Sequence, residues 1–113
     1  MRLYLPATLE LLAEWHHAGT VPTGGLEDAF VASDDSEEGE YAALMAAADA
    51  STALLAGAGR RVVLVVDASD DGPVPLGRWA AVHADAVDRP AGADPDEDLG
   101  WFGIQEIPEL LRD

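Results

Sequence analysis

The segment Arg61-Val62-Val63-Leu64-Val65-Val66-Asp67 constrains the fold of this chain more than any other. It is an unbroken apolar run of mostly β-branched residues, bounded by one charged residue at each end. A run of this length without polar alternation is typical of a strand that is buried on both faces. We therefore expect residues 61–67 to form the central strand of a sheet.

Two segments with helical periodicity precede this strand. Residues 7–18 repeat apolar side chains at the spacing of one helix face, and Gly19 is a natural stop. Residues 37–56 are rich in alanine, which has the highest helix propensity, and Asp35 with Glu38 indicates a capping box at their start. The second helix is expected to pack through one apolar stripe, formed by Tyr41, Leu44, Met45, Ala48, Thr52 and Leu55.

The remaining pattern predicts short strands, a turn at Asp70-Asp71-Gly72-Pro73 and a terminal helix beginning at Pro108. The order β-α-β-α-β-β-β-α follows. The first half suggests right-handed parallel crossovers and the second half an antiparallel meander. We expect one α+β domain over residues 1–113, with a mixed β-sheet and two main helices packed on one face. The other predicted strands are residues 2–5, 29–32, 77–87 and 99–105.

The charge of the chain limits its partners. The net charge is −16, from 22 acidic and 6 basic residues, and all of the basic residues are arginine. This excess argues against binding a nucleic acid backbone or an anionic membrane surface, both of which attract basic proteins. It permits a basic protein partner or a cation. A homo-oligomer is the other kind of assembly that we consider.

The cell compartment and the available chemistry are limited by what the sequence lacks. There is no cysteine, which excludes disulfides, thiolate nucleophiles and cysteine-ligated metals. No apolar run approaches the ~20 residues of a membrane span, and the start of the chain does not resemble a signal peptide. We expect a cytoplasmic protein without a cofactor.

Several segments together resemble a known family. They are Arg2 to Leu9, the strand 61–67, Trp101-Phe102, Glu106-Ile107 and Leu110-Leu111. In these segments the chain is similar to an uncharacterised family of small acidic actinobacterial proteins. The resemblance implies an actinobacterial, cytosolic origin, and it carries no activity, ligand or catalytic residue.

One candidate metal site is the acidic loop that contains Asp94, Asp96 and Asp98. Carboxylates at alternate positions are typical of the start of a calcium-binding loop. The match then ends, because Leu99 stands where that loop requires glycine and Gln105 stands where it requires a bidentate glutamate. The competing interpretation is a solvated loop between two strands.

A second candidate is the pair His83 and Asp85 on the strand 77–87. Residues two apart on a strand share a face, so the two side chains could act as a general acid/base pair or as two cation ligands. An exposed strand face, or a histidine hydrogen-bonded to its neighbour, is the alternative.

A third candidate is the aromatic pair Trp79 and Trp101, which lie on neighbouring predicted strands. The two indoles could stack in the core. Alternatively, they could form an exposed patch for a protein partner, because tryptophan is enriched at interface hot spots.

These observations favour a non-enzymatic, acidic protein-interaction or regulatory protein. No catalytic motif, no cofactor motif and no thiol is present in the sequence, and the charge is strongly negative. The alternative is a small-molecule or metal-dependent enzyme that uses His83 with Asp85, or the carboxylates of Asp94 to Asp98.

Overall fold

The computed structural model describes residues 1–69 and 72–112. The predicted turn residues Asp70 and Asp71 lie outside the described residues. Within the described ranges the chain forms six strands and three helices. In chain order they are β1 (Arg2–Ala7), α1 (Leu9–Ala18), β2 (Thr20–Val21), α2 (Glu37–Leu55), β3 (Val62–Asp67), β4 (Val74–Pro75), β5 (Trp79–Ala84), β6 (Gly100–Phe102) and α3 (Ile107–Leu110).

The main sheet has four strands in the order β1-β3-β5-β6, and each neighbouring pair is antiparallel. The α+β class and the central position of β3 are confirmed. The predicted mixed sheet and its parallel crossovers are wrong. The predicted strand 29–32 is reduced to one bridge between Tyr4 and Phe30, so two long helices follow each other between β1 and β3. β1 pairs directly with β3, and the two strands run in opposite directions.

Helices cover both faces of this sheet, so the prediction of a single covered face is wrong. The unbroken apolar run of β3 is the reason, since its alternate side chains need a cover on each side. Leu64 belongs to the core on the side of α1 and α3, and Val63 and Val65 to the core on the side of α2. We call these sides the α1 face and the α2 face.

The α1 face is closed by large side chains. Leu12 and Trp15 of α1 are buried against the sheet, together with Ile107 and Leu110 of α3. The helix starts two residues later than predicted, because Thr8 caps it by accepting a hydrogen bond from the Leu11 amide at 3.1 Å. Gly19 ends α1 in the left-handed region, as predicted.

The α2 face is covered by small side chains. The cap is Ser36, which accepts from the Gly39 amide at 3.0 Å, so the predicted capping box at Asp35 is wrong. The buried positions of α2 differ from the predicted stripe, in which only Ala48 is buried. A small-residue face allows the helix axis to approach the sheet closely. The buried positions are Gly39, Ala43, Ala47, Ala48 and Ser51.

A β-bulge in β5 changes which way its side chains point. The register with β3 pairs Val65 with Ala81 but Val66 with Trp79, so Ala80 is the extra residue. The bulge turns Trp79 to the α1 face, where its indole Nε1 donates to the Val74 carbonyl at 3.1 Å. In a regular strand Trp79 and His83, four residues apart, would share a face, and the bulge separates them.

Candidate binding cleft beside β6

A cleft remains where α2 leaves β5 and β6 uncovered. The helix packs mainly on β1 and β3, while the side chains of β5 and β6 on the same face lie beside it. The resulting cleft has a volume of about 310 Å³. We call it the α2–β6 cleft. Its walls include Glu40, Tyr41, Leu44, Ala81, His83 and Trp101.

Two exposed aromatic rings flank the cleft. Trp101 is 62% exposed and Tyr41 is 49% exposed, although both are large apolar surfaces. Trp101 lies on β6 directly opposite His83 of β5 in the antiparallel register. The sheet therefore presents an imidazole and an indole side by side, and α2 adds the phenol ring.

The Tyr41 ring is held in place by the acidic loop. Its hydroxyl donates a hydrogen bond to Asp98 Oδ1 at 2.7 Å. This bond raises the pKa of Tyr41 above its ordinary value, because it favours the protonated phenol beside a carboxylate. The contact connects α2 to the loop that leads into β6.

His83 lies in the wall of the cleft. Its side chain is half-buried, and this burial lowers its pKa because the charged form loses hydration. Within the described part of the chain, His83 makes no hydrogen bond. Both ring nitrogens are therefore available to a ligand that enters the cleft.

Asp85 is directed elsewhere, so the structure does not join it with His83. β5 ends at Ala84, and Asp85 is buried with its carboxylate bonded to Arg61 through Nε at 2.9 Å and Nη2 at 2.8 Å. Burial acts to raise the pKa of Asp85, but the hydrogen bonds and charge of Arg61 outweigh it and leave the pKa below its ordinary value. This arrangement is typical of a structural ion pair.

The same ion pair fixes the acidic loop against the body of the protein. Arg61 Nη2 donates to the Glu97 carbonyl at 2.7 Å, and Nη1 donates to the Pro95 carbonyl at 3.3 Å. Arg89 adds a contact of 3.7 Å to Asp85. The loop was expected to be solvated. Its side chains are indeed exposed, but its backbone is held by buried arginine.

The three aspartates of this loop are used separately. Asp94 accepts from the backbone amide of Asp96 at 2.9 Å, while Asp98 binds Tyr41. Across residues 1–69 and 72–112, no three histidine or carboxylate side chains come together in a way that could hold a metal ion. The structure therefore does not bring Asp94, Asp96 and Asp98 into one site.

The two candidate tryptophans are placed on opposite faces. Trp79 is 6% exposed and belongs to the core of the α1 face, while Trp101 lies open on the α2 face. The stacking of the two indoles, one of the two alternatives drawn from the sequence, is absent because the bulge at Ala80 turns Trp79 to the α1 face. Exposed aromatic surface at this edge of the sheet is supplied instead by Trp101 and Tyr41.

Sequence reasoning missed Tyr41 as a site residue. Its position in an apparent apolar stripe of α2 indicated the core. A second stripe of α2, made of glycine, alanine and serine, forms the buried side of the helix. Recognising that stripe in the sequence would have placed Tyr41 on the exposed side. An alanine-rich helix has two candidate faces, and the larger residues marked the wrong one.

The fold and the cleft define a class: a small α+β protein with helices on both faces of an antiparallel sheet and an aromatic cleft beside its edge strand. The chain belongs to a family of unknown function, DUF6912, whose sequence profile matches residues 1–111. This confirms the expectation of an uncharacterised family. No curated protein and no solved structure matches the chain.

None of the helices formed by residues 1–69 and 72–112 is both long and apolar enough to cross a bilayer.

Proposed function

We propose that this protein is a non-enzymatic interaction protein that binds a basic segment of a partner protein in the α2–β6 cleft. The observation that carries the proposal is the exposed pair of rings, Trp101 and Tyr41, beside an uncovered part of the sheet. A cytoplasmic location and an actinobacterial source stay predictions from the sequence.

The aromatic rings favour a cationic side chain as the occupant. The faces of indole and phenol rings attract ammonium and guanidinium groups, and tryptophan does so most strongly. Tryptophan and tyrosine are also the residues most enriched at interface hot spots, where they supply large contact area at low entropic cost. Trp101 and Tyr41 supply both properties in one cleft.

The surrounding charge supports the same occupant. Glu40 lies in the wall of the cleft, and Asp96 and Asp98 act electrostatically on Tyr41. Arg2, the cationic residue of the wall, is paired with Asp67 at 3.2 Å. With a net charge of −16 on the whole chain, the field at the cleft attracts a basic segment and speeds its association.

The edge position of β6 supports an extended segment. β6 pairs with β5 on one side, and in the described part of the chain no strand pairs with its other side. An extended peptide can add to such an edge through main-chain hydrogen bonds. Its alternate side chains would then point to the α2 face, where Trp101 lies.

The enzyme alternative has less support from the geometry. His83 lines the cleft, and its lowered pKa favours the neutral form that a general base requires. Its proposed partner Asp85 is bonded to Arg61, and the carboxylates of Asp94 and Asp98 have separate partners. A lone imidazole without an orienting group is a weaker catalytic arrangement than a polarised pair.

The test uses a short extended peptide, an acetylated Ala-Arg-Ala-Arg-Ala amide, titrated into the ¹⁵N-labelled protein. We expect a saturable shift of the Trp101 indole N–H signal and no shift of the Trp79 signal, since Trp79 is bonded within the core. Replacing Trp101 with alanine should weaken binding about 30-fold, the loss typical of a tryptophan hot spot.

Two controls make this test specific. A peptide with glutamine in place of arginine should bind much more weakly, because it keeps the backbone and removes the charge. The variant Val87→Ala removes a side chain that is 68% exposed elsewhere on the surface, and it should bind as wild type. Equal binding by Trp101→Ala and wild type would contradict the proposal.

A further inference from the structure

We propose that a second cleft, between α1, the 3₁₀ turn Thr23–Leu26 and the end of α2, binds a small organic cation that also carries a hydrogen-bond acceptor. This groove is separate from the α2–β6 cleft and does not depend on the function proposed for it. It lies at the edge of the α1 face, beside Trp15.

The groove is large enough for a molecule of amino-acid size. Its volume is about 480 Å³, within the range of roughly 300–1,000 Å³ that is typical of small-molecule sites. Leu11, Trp15 and Leu54 give it apolar walls. Leu54 is 49% exposed, so part of this apolar surface faces solvent.

An unused hydrogen-bond donor lies in the wall of the groove. Trp15 is 94% buried, that is, 6% exposed, yet its indole N–H has no partner in the described part of the chain. Among the described side-chain nitrogen and oxygen atoms that are fully shielded from solvent, Arg89 Nε alone lacks a hydrogen bond. The indole nitrogen of Trp15 therefore keeps accessible surface, and the groove is the opening beside it.

The orientation of the ring agrees with this placement. Gly25 lines the groove, and a side chain added there would approach Cζ2 of Trp15 to 3.1 Å and Cε2 to 3.5 Å. Cε2 is bonded to Nε1, so the edge of the ring that carries the N–H is turned toward Gly25. The Trp79 indole N–H is satisfied by a carbonyl of the protein, whereas the Trp15 indole N–H has no such acceptor and can take one from a ligand.

The charge of the groove selects a cation. Glu14 and Asp28 both line it and both are exposed, and none of the described residues that line the groove is basic. A ligand that satisfies the whole site therefore offers a carbonyl or similar acceptor to Trp15, an apolar body to Leu11 and Leu54, and a positive charge to the carboxylates.

The probe that tests this site is N-acetyl-L-argininamide, which combines a guanidinium, a short apolar stem and carbonyl acceptors. It is titrated into the ¹⁵N-labelled full chain up to about 10 mM, enough to detect a millimolar dissociation constant. The three tryptophans give three indole signals, and Trp101→Phe and Trp79→Phe assign two of them. We expect a saturable downfield shift of the Trp15 indole proton, as a new hydrogen bond produces.

Charge variants test the selectivity. The double variant Glu14→Gln and Asp28→Asn should weaken the effect on Trp15 about tenfold, since each exposed ion pair contributes a factor of a few. Glu27→Gln is the matched control, because Glu27 is an exposed carboxylate next to the groove that does not line it. It should bind as wild type.

Three results would overturn the inference. The first is the absence of a saturable Trp15 shift, and the second is an equal shift with the neutral analogue N-acetyl-L-leucinamide. The third is a shift confined to Trp101, which would support the α2–β6 cleft and remove the second site. Because each tryptophan lies in a different region, the two proposals fail or succeed separately.

Discussion

The two faces of the sheet are covered in different ways. On the α1 face, leucine, tryptophan and isoleucine side chains from α1 and α3 fill the space above all the central strands. On the α2 face, one helix packs through alanine and reaches β1 and β3, while β5 and β6 keep an open surface. The closed face has the larger buried side chains and the open face has the exposed aromatic rings.

This difference indicates how a small domain leaves part of a sheet face open without losing its core. A helix with a small-residue face approaches the sheet closely and covers a narrow strip of it. The uncovered part of the face is bordered by the acidic loop, which is held in place by hydrogen bonds from Arg61 and Tyr41. Four variants test this comparison, from the largest expected effect to the smallest.

The largest effect should come from Asp85→Ala, which removes the support of the open face. Arg61 would remain buried without its carboxylate, at a cost of about 4 kcal/mol in the free energy of unfolding. Chemical denaturation measures this loss. The control is Asp67→Ala, because the Arg2–Asp67 pair is half-exposed and should contribute less than about 1 kcal/mol. A similar small loss for both variants would contradict the structural role of Arg61 and Asp85.

Leu12→Ala should show the next largest effect, because it empties part of the closed face. Leu12 is fully buried, and its truncation should lower the free energy of unfolding by about 3 kcal/mol. Leu44 is partly exposed in the wall of the α2–β6 cleft, so Leu44→Ala should lower the free energy of unfolding by less than half as much. Equal losses would show that the two faces are packed alike.

Ser51→Ala tests the attachment of α2 to the sheet. The buried Ser51 hydroxyl donates to the Ala7 carbonyl at 2.7 Å and accepts from the Val62 amide at 2.9 Å. Its removal leaves both groups unsatisfied and should cost about 2 kcal/mol. Hydrogen exchange at the Val62 amide should become faster. The control is Thr52→Ala, since the Thr52 hydroxyl bonds within its own helix to the Ala48 carbonyl.

The smallest effect should be a pH dependence from His83. Its pKa is lowered by burial, so between the folded and the unfolded pKa the unfolded chain binds the proton more readily. Stability should therefore be complete above the ordinary histidine pKa and fall as the pH drops through that value toward the lower, folded one. The variant His83→Gln should remove this part of the pH dependence. An unchanged profile in that variant would show that other groups cause it.

Much of the fold follows from local patterns in the sequence. The β3 run, the periodicity of α1 and the alanine content of α2 each predict their element within a few residues. The predicted parallel pairing was wrong, because the predicted strand at 29–32 forms only a bridge and β1 pairs directly with β3 in the antiparallel sense. The bulge at Ala80 was missed because a one-residue shift depends on packing on both sides of the strand.

The candidate site was predicted in part. The patterns identified His83 and Trp101, and the sheet register places them opposite each other. Asp85 failed to join them, because β5 ends one residue earlier and Arg61, 24 positions before it in the chain, holds the carboxylate. Ion pairs of this kind depend on contacts that no local spacing describes, and the hydrogen bond from Tyr41 to Asp98, 57 positions apart, is another.

The register of β1 on β3 has a consequence for how the chain folds. Arg2 pairs with Asp67, 65 positions away, whereas β3 and β5 are joined by a much shorter connection. Closing the longer loop has the larger entropic cost, so we expect β3 and β5 to pair first and β1 to dock late. Substitutions at Leu5 should then accelerate unfolding more than they slow folding, as stopped-flow kinetics would show. Before β1 docks, β3, the most deeply buried strand of the native sheet, has one unpaired edge. We expect aggregation to begin at this edge.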